Sequence, residues 1–303
     1  MNEKTKAALL MLLYCIAAAS NVIFLSQILK SFNPQSLLFF RWLIVLVILV
    51  PIVIKKEGIN FPTGKNLILL IIMGITSVVL GNLFAFKAYE TTSTINIGFI
   101  GALATSITAI LSGIFLKEKF TLYKVIGVLL AFIGVIVTLV GSDMNILLDF
   151  NLKKGDIFIF LSTFVNCVYS ILGKKVSHSG SPTSIVMYST LFGWLCFIPI
   201  GISDVHIPND ISIKLVLFVL YTSIVATLLT RWIFMKSIKY LTASEAAIMT
   251  NNQPILTALF SFLFLGVSIG YQHFIGWLII TLGVLFFYKI IKLPIKNKKN
   301  VTN

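Results

Sequence analysis

Long apolar stretches alternate with short polar connectors along almost the whole chain. Ten of the stretches are each about 20 residues long, the length that an α-helix needs to cross the roughly 30 Å hydrocarbon core of a bilayer. They cover residues 7–29, 36–54, 67–87, 94–116, 122–141, 155–173, 184–203, 213–235, 243–266 and 273–292. None shows the strict polar–apolar alternation of a membrane β-strand. The pattern therefore predicts an all-α membrane protein with ten transmembrane helices.

Composition and charge support this interpretation. Of the 303 residues, 58% are hydrophobic and only 11% are charged, whereas soluble domains contain about 25% charged residues. Seventeen lysines lie in the N-terminus, in every second connector and in the C-terminal tail: Lys4, Lys6, Lys55, Lys56, Lys65, Lys117, Lys119, Lys124, Lys174, Lys175, Lys236, Lys239, Lys289, Lys292, Lys296, Lys298 and Lys299. The other connectors hold five: Lys30, Lys87, Lys153, Lys154 and Lys214. Basic residues accumulate in cytoplasmic loops, so both termini are predicted to be cytoplasmic, in a protein of the cell membrane. The net charge of +14 is thus explained by basic residues on the cytoplasmic side of the membrane, and no nucleic-acid partner is expected.

The chain also resembles itself. A shift of 149 residues aligns identical residues of helices three to five with those of helices eight to ten: Lys87 with Lys236, Thr108 with Thr257, Ser112 with Ser261, Gly127 with Gly276, and Gly134 with Gly283. This predicts two repeats, 1–144 and 145–303. Because each repeat has five helices, an odd number, the second is inverted in the membrane. Inverted repeats are typical of secondary transporters, whose substrate site lies near the midplane between the halves.

The motifs of both halves, taken in order, resemble the EamA domain of the drug/metabolite transporter superfamily. They are Asn21, Pro34 and Arg41 in the first helices, residues 116–127 and 132–135 at the end of the first half, and residues 243–247, Pro254 and Gly276 in the second half. The resemblance implies a carrier of amino acids, sugars, nucleotide sugars or other metabolites, often moved outward. Export of small polar metabolites such as amino acids is therefore the expected function. The halves have diverged, since Arg41 has Ser189 at the shift of 148 that pairs Pro34 with Pro182.

Polar residues inside a bilayer are costly and mark functional positions. The candidates for substrate binding outside helix nine are Asn21, Arg41, Asn82, Thr105, Asn166 and Tyr169. Arg41 would hold an anionic group, or else snorkel to the outer interface. The amides suit polar metabolites, but they also join helices by hydrogen bonds. Both alternatives stay open at this point.

The strongest candidate is the run Asn251, Asn252, Gln253 and Pro254 in the middle of helix nine. Proline removes a backbone hydrogen bond and clashes with the carbonyl four residues earlier, so we expect the helix to kink or break. Freed backbone groups are tolerated at membrane depth where they line a wet cavity. A broken helix beside three amides therefore predicts a substrate site.

Other features are given structural roles. Arg231, beside Trp232, is expected to anchor helix eight at the cytoplasmic interface. Gly127 and Gly134 share one face of helix five, as Gly276 and Gly283 share one face of helix ten. These two helices are expected to lie outside the binding path, in a monomer or in a homodimer that they hold together.

Two other functions remain as alternatives. A sensor or scaffold of the same fold would bind without transport. An integral membrane transferase would need convergent acids and histidines near one interface, and His178, His206 and His273 lie far apart along the chain. Cys15, Cys167 and Cys196 have no metal-ligand spacing, and no nucleotide-binding loop occurs. We therefore expect no enzyme activity, metal or cofactor.

Overall fold

The structure, a computed structural model, describes residues 2–58, 60–92, 94–119, 121–140, 154–206, 211–266 and 270–288. All regular secondary structure in these residues is helical. The helices are α1 (Glu3–Ile28), α2 (Pro34–Glu57), α3 (Gly64–Thr91), α4 (Thr94–Leu116), α5 (Leu122–Val140), α6 (Lys154–Val176), α7 (Pro182–Gly201), α8 (Ile213–Ile238), α9a (Ala243–Thr250), α9b (Gln253–Leu265) and α10 (Tyr271–Phe287). A 3₁₀ turn, Ile202–Asp204, follows α7.

Each of the ten predicted spans coincides with one of these helices over most of its length, α9a and α9b together forming the ninth. Within the described residues, six helices are long and apolar enough to cross a membrane, and α4, α5 and α10 contain shorter apolar helices. The prediction of an all-α membrane protein is confirmed. The predicted span ends at 141 and 289–292, the repeat boundary at 144–145, Lys153 and the lysines of the tail lie outside the described residues.

Side-chain caps fix where several helices begin. Asn33 accepts a hydrogen bond from the Ser36 amide and Ser181 from the Ser184 amide, each ahead of a proline at the first helical position, the combination that favours a helix start. Thr242 and Glu245 cap the start of α9a reciprocally. These polar residues set the helix starts where a purely apolar pattern cannot.

Helix nine is interrupted at its middle, as predicted from Pro254. Asn251 and Asn252 form a turn between α9a and α9b. Pro254 lies in the first turn of α9b, where a missing amide hydrogen costs nothing. The break therefore follows from the proline, and it exposes backbone and amide groups inside the helix bundle.

Two wider turns of helix were not predicted. Ile75–Leu80 in α3 and Ile224–Leu229 in α8 are π-helical. The two segments are separated by the same 149 residues as the sequence identities described above. A π segment rotates the residues after it and leaves carbonyl groups weakly bonded, and such segments are frequent at functional sites.

The glycine faces of α5 and α10 pack against each other within the chain. A methyl group on Gly127 would lie 2.7 Å from the Gly283 carbonyl oxygen, and one on Gly134 would lie 2.7 Å from that of Gly276. Small residues at these positions allow the two helices to touch along their backbones. A homodimer through these helices would have to use their other faces.

Large apolar side chains cover much of the outside of the bundle. Ile213 is 71% exposed, Ile114 is 65% exposed and Val47 is 64% exposed. The main core lies between α1, α2, α3, α6, α7, α8 and α9a, and Trp42, Phe197 and Met235 are almost completely buried there. Apolar side chains this exposed around a packed core suit a protein surrounded by lipid.

Candidate functional site

A cavity of about 770 Å³ lies at the centre of the bundle. Among the described residues, every helix except α7 contributes to its wall. It extends to Ile97 near the start of α4, Thr138 near the end of α5 and His273 near the start of α10. Helices five and ten therefore reach the cavity, and the expectation that they lie outside the binding path is wrong. Thr138 also lies against Gly276 where α5 and α10 touch.

Arg41 enters the cavity from α2 and is held by α3. Its Nη2 donates to Asn82 Oδ1 at 2.9 Å. The Asn82 amide in turn donates to the carbonyl oxygens of Ser77 and Val78, at 2.8 and 3.0 Å. Both carbonyls belong to the π segment of α3. The irregular turn thus supplies acceptors that orient Asn82, and Asn82 orients the arginine.

Arg231 also lies in the cavity wall, so the expectation that it anchors α8 at the interface is wrong. Its Nη1 donates to Ser77 Oγ at 2.9 Å. Its guanidinium carbon lies 4.5 Å from the centroid of the Trp42 ring and 4.9 Å from that of Tyr169. Contacts with two aromatic faces stabilise a cation away from water, which is why Arg231 does not need to reach the interface.

The helix-nine break contributes an amide and a hydrogen bond between helices. Thr105 on α4 donates to Asn251 Oδ1 at 2.9 Å, and both side chains are buried. Asn251, Gln253 and Pro254 line the cavity. Asn252 does not line it, and its amide donates back to the Met249 carbonyl oxygen at 2.9 Å.

Helix α6 supplies Asn166 and Tyr169. The Asn166 amide donates to the Ser162 carbonyl oxygen at 2.8 Å. The Tyr169 ring stacks on Phe234, with centroids 6.2 Å apart, and its hydroxyl is buried without a partner in the described structure. Both side chains line the cavity, which gives it an amide and an aromatic wall on the same side.

The structure brings most of the predicted site residues together. Seven line the cavity: Arg41, Asn82, Asn166, Tyr169, Asn251, Gln253 and Pro254. Three do not. Thr105 contacts the lining residue Asn251 without lining the cavity itself, and Asn252 is not among the lining residues. Asn21 also lies outside the lining, with its Oδ1 buried and unpartnered among the described groups. The sequence did not point to Arg231, Ser77 or Thr230 as site residues. The shift of 149 residues could have identified Arg231, because it aligns Arg231 with Asn82.

Comparisons with known proteins give the same picture along the full chain. The model of the EamA-like transporter family matches residues 5–140 and again residues 153–289. The uncharacterized transporter YyaM of Bacillus subtilis is 28% identical over 275 residues, covering 88% of each protein. An uncharacterized transporter of Archaeoglobus fulgidus is 26% identical over 287 residues, covering 94% of this chain and 97% of that protein.

A solved crystal structure has the same fold, with a TM-score of 0.76 over 94% of this chain and 97% of that one. At 14% identity it bears on the fold alone. The two matches of the family model cover most of the sequence, and both relatives are named as uncharacterized transporters. The chain belongs to the EamA-like transporter family.

Proposed function

We propose that this chain is a secondary transporter that exports small polar metabolites from the cell by alternating access. The observation on which this rests is the central cavity. It is within the usual 300–1,000 Å³ range of ligand sites, and polar side chains from helices of both halves converge on it. Its wall includes the break in helix nine, as expected for a midplane site in a transporter built on discontinuous helices.

The proposal includes two inverted repeats of five helices, divided near residue 144, in the cell membrane. Three observations support it. The family model matches the chain twice, and the π segments of α3 and α8 are 149 residues apart. The glycine contacts between α5 and α10 are also reciprocal, since Gly127 meets Gly283 while Gly134 meets Gly276. Two similar halves facing opposite ways would give inward- and outward-open states of similar energy.

Polar contacts at one end of the bundle support a closed cytoplasmic side. Glu118 accepts hydrogen bonds from the Ala243 amide at 2.8 Å and from Ser244 Oγ at 2.6 Å. Lys4 pairs with Glu245 at 2.5 Å. The lysine distribution predicts that these helix ends are cytoplasmic. The cavity extends towards the opposite ends, at Ile97, Thr138 and His273, so we assign the structure to an outward-open state.

The proposal is tested by counterflow in liposomes, with labelled amino acids, organic acids, nucleosides and sugars. Asn251→Ala and Asn252→Ala form a matched pair, because the two asparagines are neighbours and only Asn251 lines the cavity. We expect exchange of one class of solute, reduced about tenfold or more by Asn251→Ala because the variant removes a buried hydrogen-bonding amide. Asn252→Ala should retain most of the exchange.

The absence of exchange by folded, correctly inserted protein for every class would contradict the transport proposal and favour a sensor. Equal losses in the two variants would contradict the placement of the site. Direction is tested with an added ion gradient, because a loaded vesicle releases solute down its own gradient whichever way the carrier works; an exporter should accumulate solute against its gradient on the extracellular side.

A further inference from the structure

The wall of the central cavity has an excess of positive charge. Arg41 and Arg231 both line it, and none of the other described lining residues is Asp or Glu. Both guanidinium carbons lie near one indole ring, at 5.3 Å and 4.5 Å from the Trp42 centroid. The two cations are therefore close neighbours. Arginine carries a positive charge in proteins, so this part of the wall is cationic.

The described groups around the two arginines are neutral. Arg41 donates to the Asn82 amide oxygen, and Arg231 donates to the Ser77 hydroxyl. No ion pair joins either arginine to a carboxylate within the described residues. Several carboxylates have partners elsewhere: Glu57 with Ser181, Glu118 with Lys124, Asp156 with Thr92 and Glu245 with Lys4. A half-buried cation without a counter-ion is costly, so this part of the wall favours a negatively charged group.

Three buried hydrogen-bonding groups beside the arginines also lack partners in the described residues. Arg41 Nε, Trp42 Nε1 and the Tyr169 hydroxyl are all buried, and none has a partner in the described part of the chain. All three side chains line the cavity. The first two groups only donate hydrogen bonds, and the tyrosine hydroxyl can donate one. Around the arginines, the buried polar groups without a partner are therefore donors.

From these two imbalances we infer that the cavity binds a small organic anion, with its carboxylate or phosphate group held by Arg41 and Arg231. The planar guanidinium matches the oxygen pairs of both groups. The volume of about 770 Å³ and apolar lining residues such as Ile97, Val135 and Phe234 suit an organic body better than an inorganic ion. As a statement about a transported substrate, the inference rests on the proposed function; as a statement about binding, it stands alone.

The test measures binding before transport. Purified full-length protein in nanodiscs of zwitterionic lipid is titrated with matched pairs that differ in charge: benzoate and benzamide, succinate and succinamide, glycerol 3-phosphate and glycerol. Choline and inorganic phosphate complete the panel. Thermal stability and isothermal titration give two independent readouts. We expect at least one anion to bind and to raise the melting temperature, while its neutral partner does neither. The carboxylate and phosphate arms decide which group is recognised.

Variants identify the site. Arg41→Gln and Arg231→Gln should each weaken binding of the best anion about 10- to 100-fold, because each removes a charge-assisted contact. Arg231→Lys should weaken anion binding less, because lysine keeps the positive charge and loses only the paired N–H donors of the planar guanidinium. Lys30→Gln is the control, because it removes one exposed cation outside the cavity. Melting temperatures without ligand separate loss of binding from loss of folding.

Equal binding of neutral partners or of choline, no binding by any anion of the panel, or unchanged affinity in both glutamine variants would each overturn the inference. Flux in proteoliposomes then separates it from the proposed function. Anion binding at the arginines without exchange would contradict transport and leave the binding site in place. Exchange of neutral or cationic solutes alone would support transport and contradict the anion.

Discussion

Ser77 joins the π segment of α3 to the arginine of α8. Its hydroxyl donates to the Met73 carbonyl oxygen at 2.8 Å and accepts from Arg231 Nη1 at 2.9 Å. The hydroxyl thereby orients the guanidinium between the rings of Trp42 and Tyr169 without neutralising it. A neutral acceptor leaves the full charge of Arg231 available to a ligand, whereas a carboxylate at this position would cancel it.

Ser77→Ala should weaken binding of the best anion of the panel about three- to tenfold, because Arg231 loses the contact that orients it. Titration in nanodiscs measures the change. Ser223→Ala is the matched control: Ser223 is buried in α8 and donates to the Val219 carbonyl oxygen at 2.7 Å, the same local bond without an arginine. Similar losses of affinity in the two variants would contradict the orienting role of Ser77.

At the same scale, the sequence could predict which residues are polar inside the membrane but not which way they face. Lipid and protein core are both apolar, so hydrophobic periodicity separates the two faces of a membrane helix poorly. Asn251 and Asn252 are neighbours in the same run, yet only Asn251 lines the cavity. Arg231 was misplaced because an arginine near a helix end usually snorkels, and its two aromatic neighbours come from α2 and α6.

Between elements, the crossing of α3 and α7 depends on two glycines. A methyl group on Gly74 would lie 2.5 Å from the Gly193 nitrogen and closer still to the Ser189 carbonyl oxygen. One on Gly193 would lie 2.6 Å from the Gly74 carbonyl oxygen. Backbone atoms cannot rotate away as a side chain can, so the two helices would have to separate.

Gly74→Ala should lower the free energy of unfolding by about 1–3 kcal/mol, the usual effect of overpacking. Gly101→Ala is the control, since a methyl group there would meet no atom within 4 Å. In a helix interior the exchange of glycine for alanine is itself favourable by about 0.5–1 kcal/mol, so this variant should be slightly stabilised. The melting temperatures of both variants and of the unmodified protein are measured in the same detergent. A Gly74→Ala protein as stable as the unmodified one would contradict the close crossing of α3 and α7.

The elements themselves differ in how far the sequence predicts them. Apolar length predicts the helices, and Pro254 predicts the break in helix nine, because both act locally. The π segments have no such signal: Ile75–Leu80 and Ile224–Leu229 are mostly apolar, with a few hydroxyl residues of the kind found throughout these helices. A π turn holds one residue more than an α turn, and side chains bond to carbonyl oxygens at these turns. Asn82 donates to the Ser77 carbonyl oxygen, and Thr227 donates to the Thr222 carbonyl oxygen. Only the comparison of the two halves at the spacing of 149 would have directed attention to both.

For the whole molecule, the polar contacts at the proposed cytoplasmic end couple the N-terminus, the α4–α5 connector and the start of α9a. Glu118 is central to them. Its side chain is 10% exposed and lies 3.7 Å from Lys124 Nζ, besides accepting from Ala243 and Ser244. Although Glu118 follows Lys117 and precedes Lys119 in a short connector, the start of α9a covers its carboxylate.

In alternating access these contacts would exist only while the cytoplasmic side is closed. Their loss should therefore favour the inward-open state by the free energy that they contribute there. Glu118→Gln removes the charge and one acceptor, at a cost of about 1–2 kcal/mol. Since about 1.4 kcal/mol changes an equilibrium tenfold, the ratio of outward- to inward-open molecules should fall about five- to thirtyfold.

A cysteine introduced at position 170 can report this ratio, because Ser170 lines the cavity and its side chain is partly exposed. In Cys15→Ala/Cys167→Ala/Cys196→Ser/Ser170→Cys protein, a membrane-impermeant maleimide added to oriented vesicles should label the introduced thiol from the outside. Glu118→Gln should slow that labelling and speed labelling from the cytoplasmic side. Glu3→Gln is the control, since Glu3 pairs with Lys6 within α1 and makes no described contact with the other half. Labelling that changes equally in both variants would mean a general effect of surface charge. If Glu118→Gln left both rates unchanged, the carboxylate would hold the helix ends together without controlling which side of the cavity is open.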